Sequence, residues 1–107
     1  MKDDRTGLVA VIFRSTRKPA DDAGYVAAAA AMDRLAAAQP GYRGIASARG
    51  ADGVGVTVSW WADDASALAW RDHPEHEAIR AAGRDRWYED FRVDVARVER
   101  SYDWRRA

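Results

Sequence analysis

A chain of 107 residues is enough for one domain with a modest core, and its 17 Lys and Arg against 17 Asp and Glu leave no net charge. That balance argues against nucleic acid as a partner, which needs clustered excess positive charge, and the lack of cysteine excludes disulfides, thiolate zinc sites and thiol nucleophiles. No apolar run reaches transmembrane length and Met1-Lys2-Asp3-Asp4 does not open a signal peptide, so a cytoplasmic protein with no membrane partner is expected.

Gly7 to Ser15 reads as the first strand, β-branched and aromatic. Leu8, Ala10 and Ile12 share one face; Val9, Val11 and Phe13 share the other. Both faces are apolar, so something must cover each of them. Thr16 to Ala20 reads as a loop. Asp21 or Asp22 caps a helix running to about Gln39, with Ala27–Ala31 at its centre, and Gln39-Pro40-Gly41 stops it. Tyr42 to Arg49 and Val54 to Trp61 are strands joined by a turn at Asp52-Gly53. On the latter strand Trp60 and Trp61 must point to opposite faces. Asp63 or Asp64 opens a helix to about Arg71. Pro74 restarts it, placing His76, Ile79, Gly83 and Trp87 on one face. Phe91 to about Tyr102 is the last strand, with Val93 and Val95 on one face and Ala96, Val98 and Tyr102 on the other.

The order β-α-β-β-α-β predicts an α+β, ferredoxin-like fold with an antiparallel sheet, in one domain spanning residues 1–107. Although 48% of the chain is hydrophobic, much of that is alanine, and only three Leu and three Ile are present. Val, Trp, Tyr and Phe must supply the bulk. The second apolar face of the sheet and this thin core predict a homodimer, each chain covering the other.

Thr57-Val58-Ser59-Trp60-Trp61, Ala69-Trp70, His73-Pro74-Glu75-His76, Gly83 to Glu89 and Val95 to Tyr102 together resemble the antibiotic biosynthesis monooxygenase family of dimeric α+β barrels. The resemblance covers most of the chain and implies a dimeric α+β barrel. One branch of that family oxidises phenolic, polyketide-like molecules to quinones with dioxygen and no cofactor. Its likeness implies a small aromatic substrate in a pocket between sheet and helices. A second branch degrades haem. Trp70 matches its porphyrin-ruffling tryptophan, but Arg80 stands where its histidine ligand would be and Phe13 where its asparagine would be. Arginine has no lone pair for iron and Phe13 no hydrogen bond to donate, so haem degradation is not expected. Haem binding, with or without degradation, is the second reading, and a non-enzymatic, dimeric small-molecule-binding module is the third.

His76 and Trp70 are the candidate catalytic residues. A neutral imidazole at His76 can deprotonate a bound phenol, because its pKa lies near working pH. Phe13, Arg14, Trp61 and Trp87 are the candidate substrate-binding residues: the aromatic rings stack on a flat ligand, and Arg14 holds a carboxylate or enolate. The alternatives are a core or dimer-edge role for His76, core filling for the tryptophans, and solvation or interface pairing for Arg14. His73 and His76 are too few for a metal site, and Gly50, Gly53 and Gly55 sit in a hairpin with no helix after it, so no phosphate loop is expected.

Overall fold

The computed structural model describes residues 4–107. The elements run β1 (Val9–Arg17), α1 (Asp22–Ala37), β2 (Tyr42–Arg49), β3 (Val54–Trp61), α2 (Asp64–Arg71), α3 (Pro74–Ala82), a π-helical turn (Gly83–Trp87) and β4 (Tyr88–Arg97). The strands form one antiparallel sheet in the order β2-β3-β1-β4, which is the expected ferredoxin-like α+β arrangement. None of the described helices is long and apolar enough to cross a membrane.

Local chemistry sets the element ends. Asp21 caps α1 by accepting from the Gly24 amide at 3.2 Å, and it does so in the left-handed region, with φ at 52°. Asp63 caps α2, accepting from the amide and hydroxyl of Ser66 at 2.8 and 2.7 Å. Pro74 opens α3, and His73 Nδ1 accepts from the Glu75 amide at 3.2 Å. His73 thus satisfies one of the amides at the start of α3.

Expected boundaries are corrected in three elements. Thr16 and Arg17 belong to β1, not to a loop, because they pair with Asp90 and Tyr88 across a bulge. For the same reason β4 begins at Tyr88 rather than Phe91. It ends at Arg97 rather than Tyr102, because its partner strand runs out. Val98 still donates to Leu8 O at 2.9 Å, but Gly7, with φ at 87°, turns the chain away from the ladder. Tyr102 is consequently exposed. The third correction is at the end of α3. The regular helix stops at Ala82, and a π turn carries Trp87 to its place, closed by the Tyr88 amide donating to Gly83 O.

Strand parity puts Val9, Val11, Phe13 and Ser15 on the helix side of β1, facing Trp61, Ser59, Thr57 and Gly55 of β3 by register. Trp61 is the largest fully buried side chain and packs with Val9, Ala36, Ala67 and Trp70. Its indole N–H donates to Ser59 Oγ at 2.9 Å, so its burial leaves no orphaned donor. The far face of the sheet carries Ala10, Ile12, Ala46, Val56, Val58, Trp60 and Ala96, and no described helix lies over it.

Trp61→Ala is expected to cost about 3–5 kcal/mol of stability. Asp63→Ala, which removes only a cap, is expected to cost about 1 kcal/mol. Urea midpoints at one fixed protein concentration check both. Equal, small shifts would show that the core is not organised on Trp61.

Candidate functional site

A cavity of about 530 Å³ lies between the helices and the sheet. It exists because the helix side of this layer is short of bulk. Ala28, Ala29, Ala36 and Ala67 present methyl groups where Leu or Ile would fill the space. The sheet side is set by Val11 and Phe13 of β1 and by Phe91, Val93 and Val95 of β4. These last three remain exposed, so the cavity has an apolar mouth over β4.

His76 forms part of the wall and is half-buried. Its ring stacks on Trp70, with centroids 4.1 Å apart and planes 12° apart. Trp70 in turn stacks on Trp61 at 5.9 Å and 24°. His76 Nδ1 lies 2.7 Å from the Trp70 carbonyl oxygen. A carbonyl can only accept, so Nδ1 carries the proton and Nε2 keeps its lone pair. Burial holds the His76 pKa below the ordinary 6.5, outweighing the opposite pull of that hydrogen bond, and the Arg80 charge adds to the lowering. At neutral pH the wall therefore presents a neutral imidazole with one free acceptor nitrogen.

A second polar cluster lines the same cavity. Arg49 donates to Ser15 Oγ at 2.8 Å and to the Tyr25 hydroxyl at 3.2 Å, and the Arg17 guanidinium lies over the Tyr25 ring at 4.1 Å. Burial, with Tyr25 beside it, pushes the Tyr88 phenol up to about 12. Tyr88 therefore stays protonated and can donate a hydrogen bond. It cannot act as the base.

Of the residues singled out in the sequence, Phe13, Trp70, His76 and Trp87 all line this cavity. Phe13 meets Tyr88 and Phe91, each at 5.5 Å between centroids. Trp87 is anchored by its indole N–H, which donates to Asp21 Oδ2 at 3.1 Å. Trp70 is mostly buried, and its ring and carbonyl both engage His76, so its geometry is that of a positioning residue. Two expectations are corrected. Trp61 is not on the cavity wall, because Trp70 lies across it and leaves it 0% exposed. Arg14 lies on the far face of the sheet, opposite Val56 and Arg92, because strand parity separates it from Phe13. Tyr25, Arg49 and Tyr88 line the site although the sequence pattern does not single them out, and Arg80, noted in the sequence only for standing where the haem branch has its histidine, lines it too. Tyr88 carries no periodic signal, because the π turn that ends one residue before it is an i→i+5 turn with no periodicity of its own in a sequence.

Sheet order, helix placement and cavity together define a ferredoxin-like α+β protein with a predominantly apolar site between its layers. Residues 8–82 match the model of the antibiotic biosynthesis monooxygenase family, and the chain belongs to that family. It is 48% identical over 91 residues to YqjZ, an uncharacterized Bacillus subtilis protein, covering 85% of this chain and 79% of that one. Among solved structures it resembles Rv0793 from Mycobacterium tuberculosis, with a TM-score of 0.73, 23% identity, and 83% and 92% of the two chains covered. It also resembles SnoaB, a cofactor-independent oxygenase from Streptomyces nogalater, with a TM-score of 0.71, 17% identity, and 95% and 97% covered.

The protein has two histidines, so each can be followed by its ring-proton signal. The His76 signal, identified by its loss in His76→Gln, is expected to titrate with a midpoint below 6.5. Because the folded state favours neutral His76, the associated stability is complete above pH 6.5 and is lost as pH falls through the lowered folded value. A midpoint at or above 6.5 would refute the assignment of a desolvated, neutral imidazole.

Proposed function

We propose that this chain is one protomer of a homodimeric, cofactor-independent monooxygenase that oxidises a flat aromatic phenol or its keto tautomer with dioxygen. The single observation that carries this reading is the His76 ring, held by the Trp70 carbonyl through Nδ1 with Nε2 left as a base on the wall of an apolar, aromatic-lined cavity. Membership of the family and the fold shared with SnoaB, a cofactor-independent oxygenase, support it.

The chemistry follows from that base. Nε2 removes a proton from the bound substrate, leaving an electron-rich, delocalised anion. Phe13 and Trp87 flank the ligand and exclude water. The anion's nucleophilic carbon transfers electrons to dioxygen and forms a carbon–oxygen bond, and the imidazolium returns its proton to the peroxide. The hydroperoxide then loses water. One oxygen atom stays on carbon as a carbonyl, and the other leaves as water with two substrate hydrogens. Dioxygen is reduced and the ring system is oxidised to a quinone.

With anthrone as substrate and an oxygen electrode as readout, the wild-type protein is expected to consume oxygen above the spontaneous rate. His76→Gln should lower the enzymatic rate by about 10²–10⁴-fold while leaving the circular dichroism spectrum unchanged. Equal rates in the two proteins would refute the role of His76, and no uptake above background would count against the oxygenase reading.

The homodimer is supported by the far face of the sheet, where Ile12, Val56, Val58 and Trp60 form an apolar surface without a described helix over it. Sedimentation equilibrium at micromolar concentration is expected to give twice the chain mass, and Val58→Asp is expected to shift the protein to monomer. A wild-type monomer under those conditions would overturn this assignment.

A further inference from the structure

The cavity wall contains charged groups from several elements: Asp33 on α1, Arg49 on β2, Asp64 and Arg71 on α2, and Arg80 on α3. Most have ready solvation or partners. Arg49 is committed to Ser15 and Tyr25, and Arg71 is solvent-exposed and paired with Asp72 at 2.9 Å. Arg80 differs. Its Nε is buried and has no hydrogen-bond partner among the described residues. The ion pairs among the described residues are Arg17–Asp22, Arg71–Asp72 and Arg92–Asp94, so neither Asp33 nor Asp64 pairs with it, and Asp72, which feels the Arg80 charge, is held by Arg71. A guanidinium stays protonated at every physiological pH, so a donor left buried in this way keeps an unmet demand for an acceptor.

Arg80 also stands one helical turn beyond His76 on α3, a rise of about 6 Å. That is the scale of one or two fused aromatic rings. The base and the cation therefore face one ligand from the same helix. A fixed anion on that ligand would meet the planar fork of Arg80 while an ionisable position lay near His76.

We propose that Arg80 forms an anion subsite of this cavity, and that the aromatic ligand is an acid, its flat ring system bearing a carboxylate as well as the position that faces His76. The proposal rests on the reading of the cavity as an aromatic-binding site. It does not require that the ligand be oxidised. It also gives the neighbouring charge a consequence: the bound anion screens Arg80 from His76, which removes one of the influences lowering the imidazole's basicity.

Two fluorescent probes with one ring skeleton provide the test. 8-Anilino-1-naphthalenesulfonate carries a permanent anion; N-phenyl-1-naphthylamine is the same skeleton without it. At pH 8, where His76 is neutral, the wild-type protein is expected to bind the sulfonate about tenfold more tightly. Arg80→Gln should abolish that preference, and Arg71→Gln should retain it. The wild-type protein offers a second measurement that does not depend on a variant folding. Phenylglyoxal labelling of Arg80, followed by peptide mapping, should be suppressed by the sulfonate and not by the amine.

Equal binding of the two probes at pH 8, or a preference that survives Arg80→Gln, would overturn the proposal. So would a preference that appears only below pH 6.5, since the charge would then belong to His76. Sulfonate binding that leaves Arg80 labelling unchanged would place the probe on the open sheet face and overturn the proposal equally. The outcome is separable from the oxygenase reading. Anion preference through Arg80 with no oxygen uptake would sustain this proposal and sink that reading, and the converse result would do the reverse.

Discussion

The stack of Trp61, Trp70 and His76 is the interaction on which the remaining structure depends. Trp61 is fixed from the sheet side by β3 and by its hydrogen bond to Ser59. Trp70 lies across it from α2, and His76 lies across Trp70 from α3. One column of aromatic rings thus ties the sheet to both short helices. A chain so poor in Leu and Ile has few other ways to do this. The same column ends at the cavity wall, so the group that completes the core is also the candidate base. Packing and chemistry are joined at one imidazole.

This arrangement explains most of the preference for neutral His76, to which the Arg80 charge adds a smaller part. Desolvation is supplied by the tryptophan face, and orientation by a backbone carbonyl of that same tryptophan. A carboxylate in the place of the carbonyl would orient the ring equally well but would raise its pKa and favour the imidazolium. The uncharged acceptor is the version that suits a base.

Much of the fold is legible in the sequence because strand parity and helix punctuation are local. Val9, Val11 and Phe13 on one face of β1, the opposed Trp60 and Trp61, and the restart at Pro74 all follow from spacing alone. Three cavity aromatics and one imidazole, Phe13, Trp70, Trp87 and His76, are legible for the same reason. What spacing does not contain is depth. Nothing in Trp60-Trp61-Ala62 says that Trp70 will lie over Trp61 and shut it away from the cavity. Arg14 is a different case, because parity alone puts it on the other face from Phe13; its adjacency to Phe13 in the chain suggests a shared site that alternation forbids. The ends of β4 depend on where β1 runs out, and the free donor of Arg80 depends on which carboxylates fail to reach it. These are tertiary facts, set by the distances between elements.

The cavity owes its volume to methyl groups, and this bears on how such a site changes over generations. Ala28 and Ala29 lie on a helix that is held at both ends by other means: the Asp21 cap at its start and the Gly41 turn after its end. Exchanging either alanine for valine, leucine or methionine adds bulk inward without asking the backbone to move. The contour of the chamber is therefore adjustable in small steps, independently of the base that serves it. A lineage can try new ligand shapes one side chain at a time while the aromatic column, and with it the fold, stays as it is.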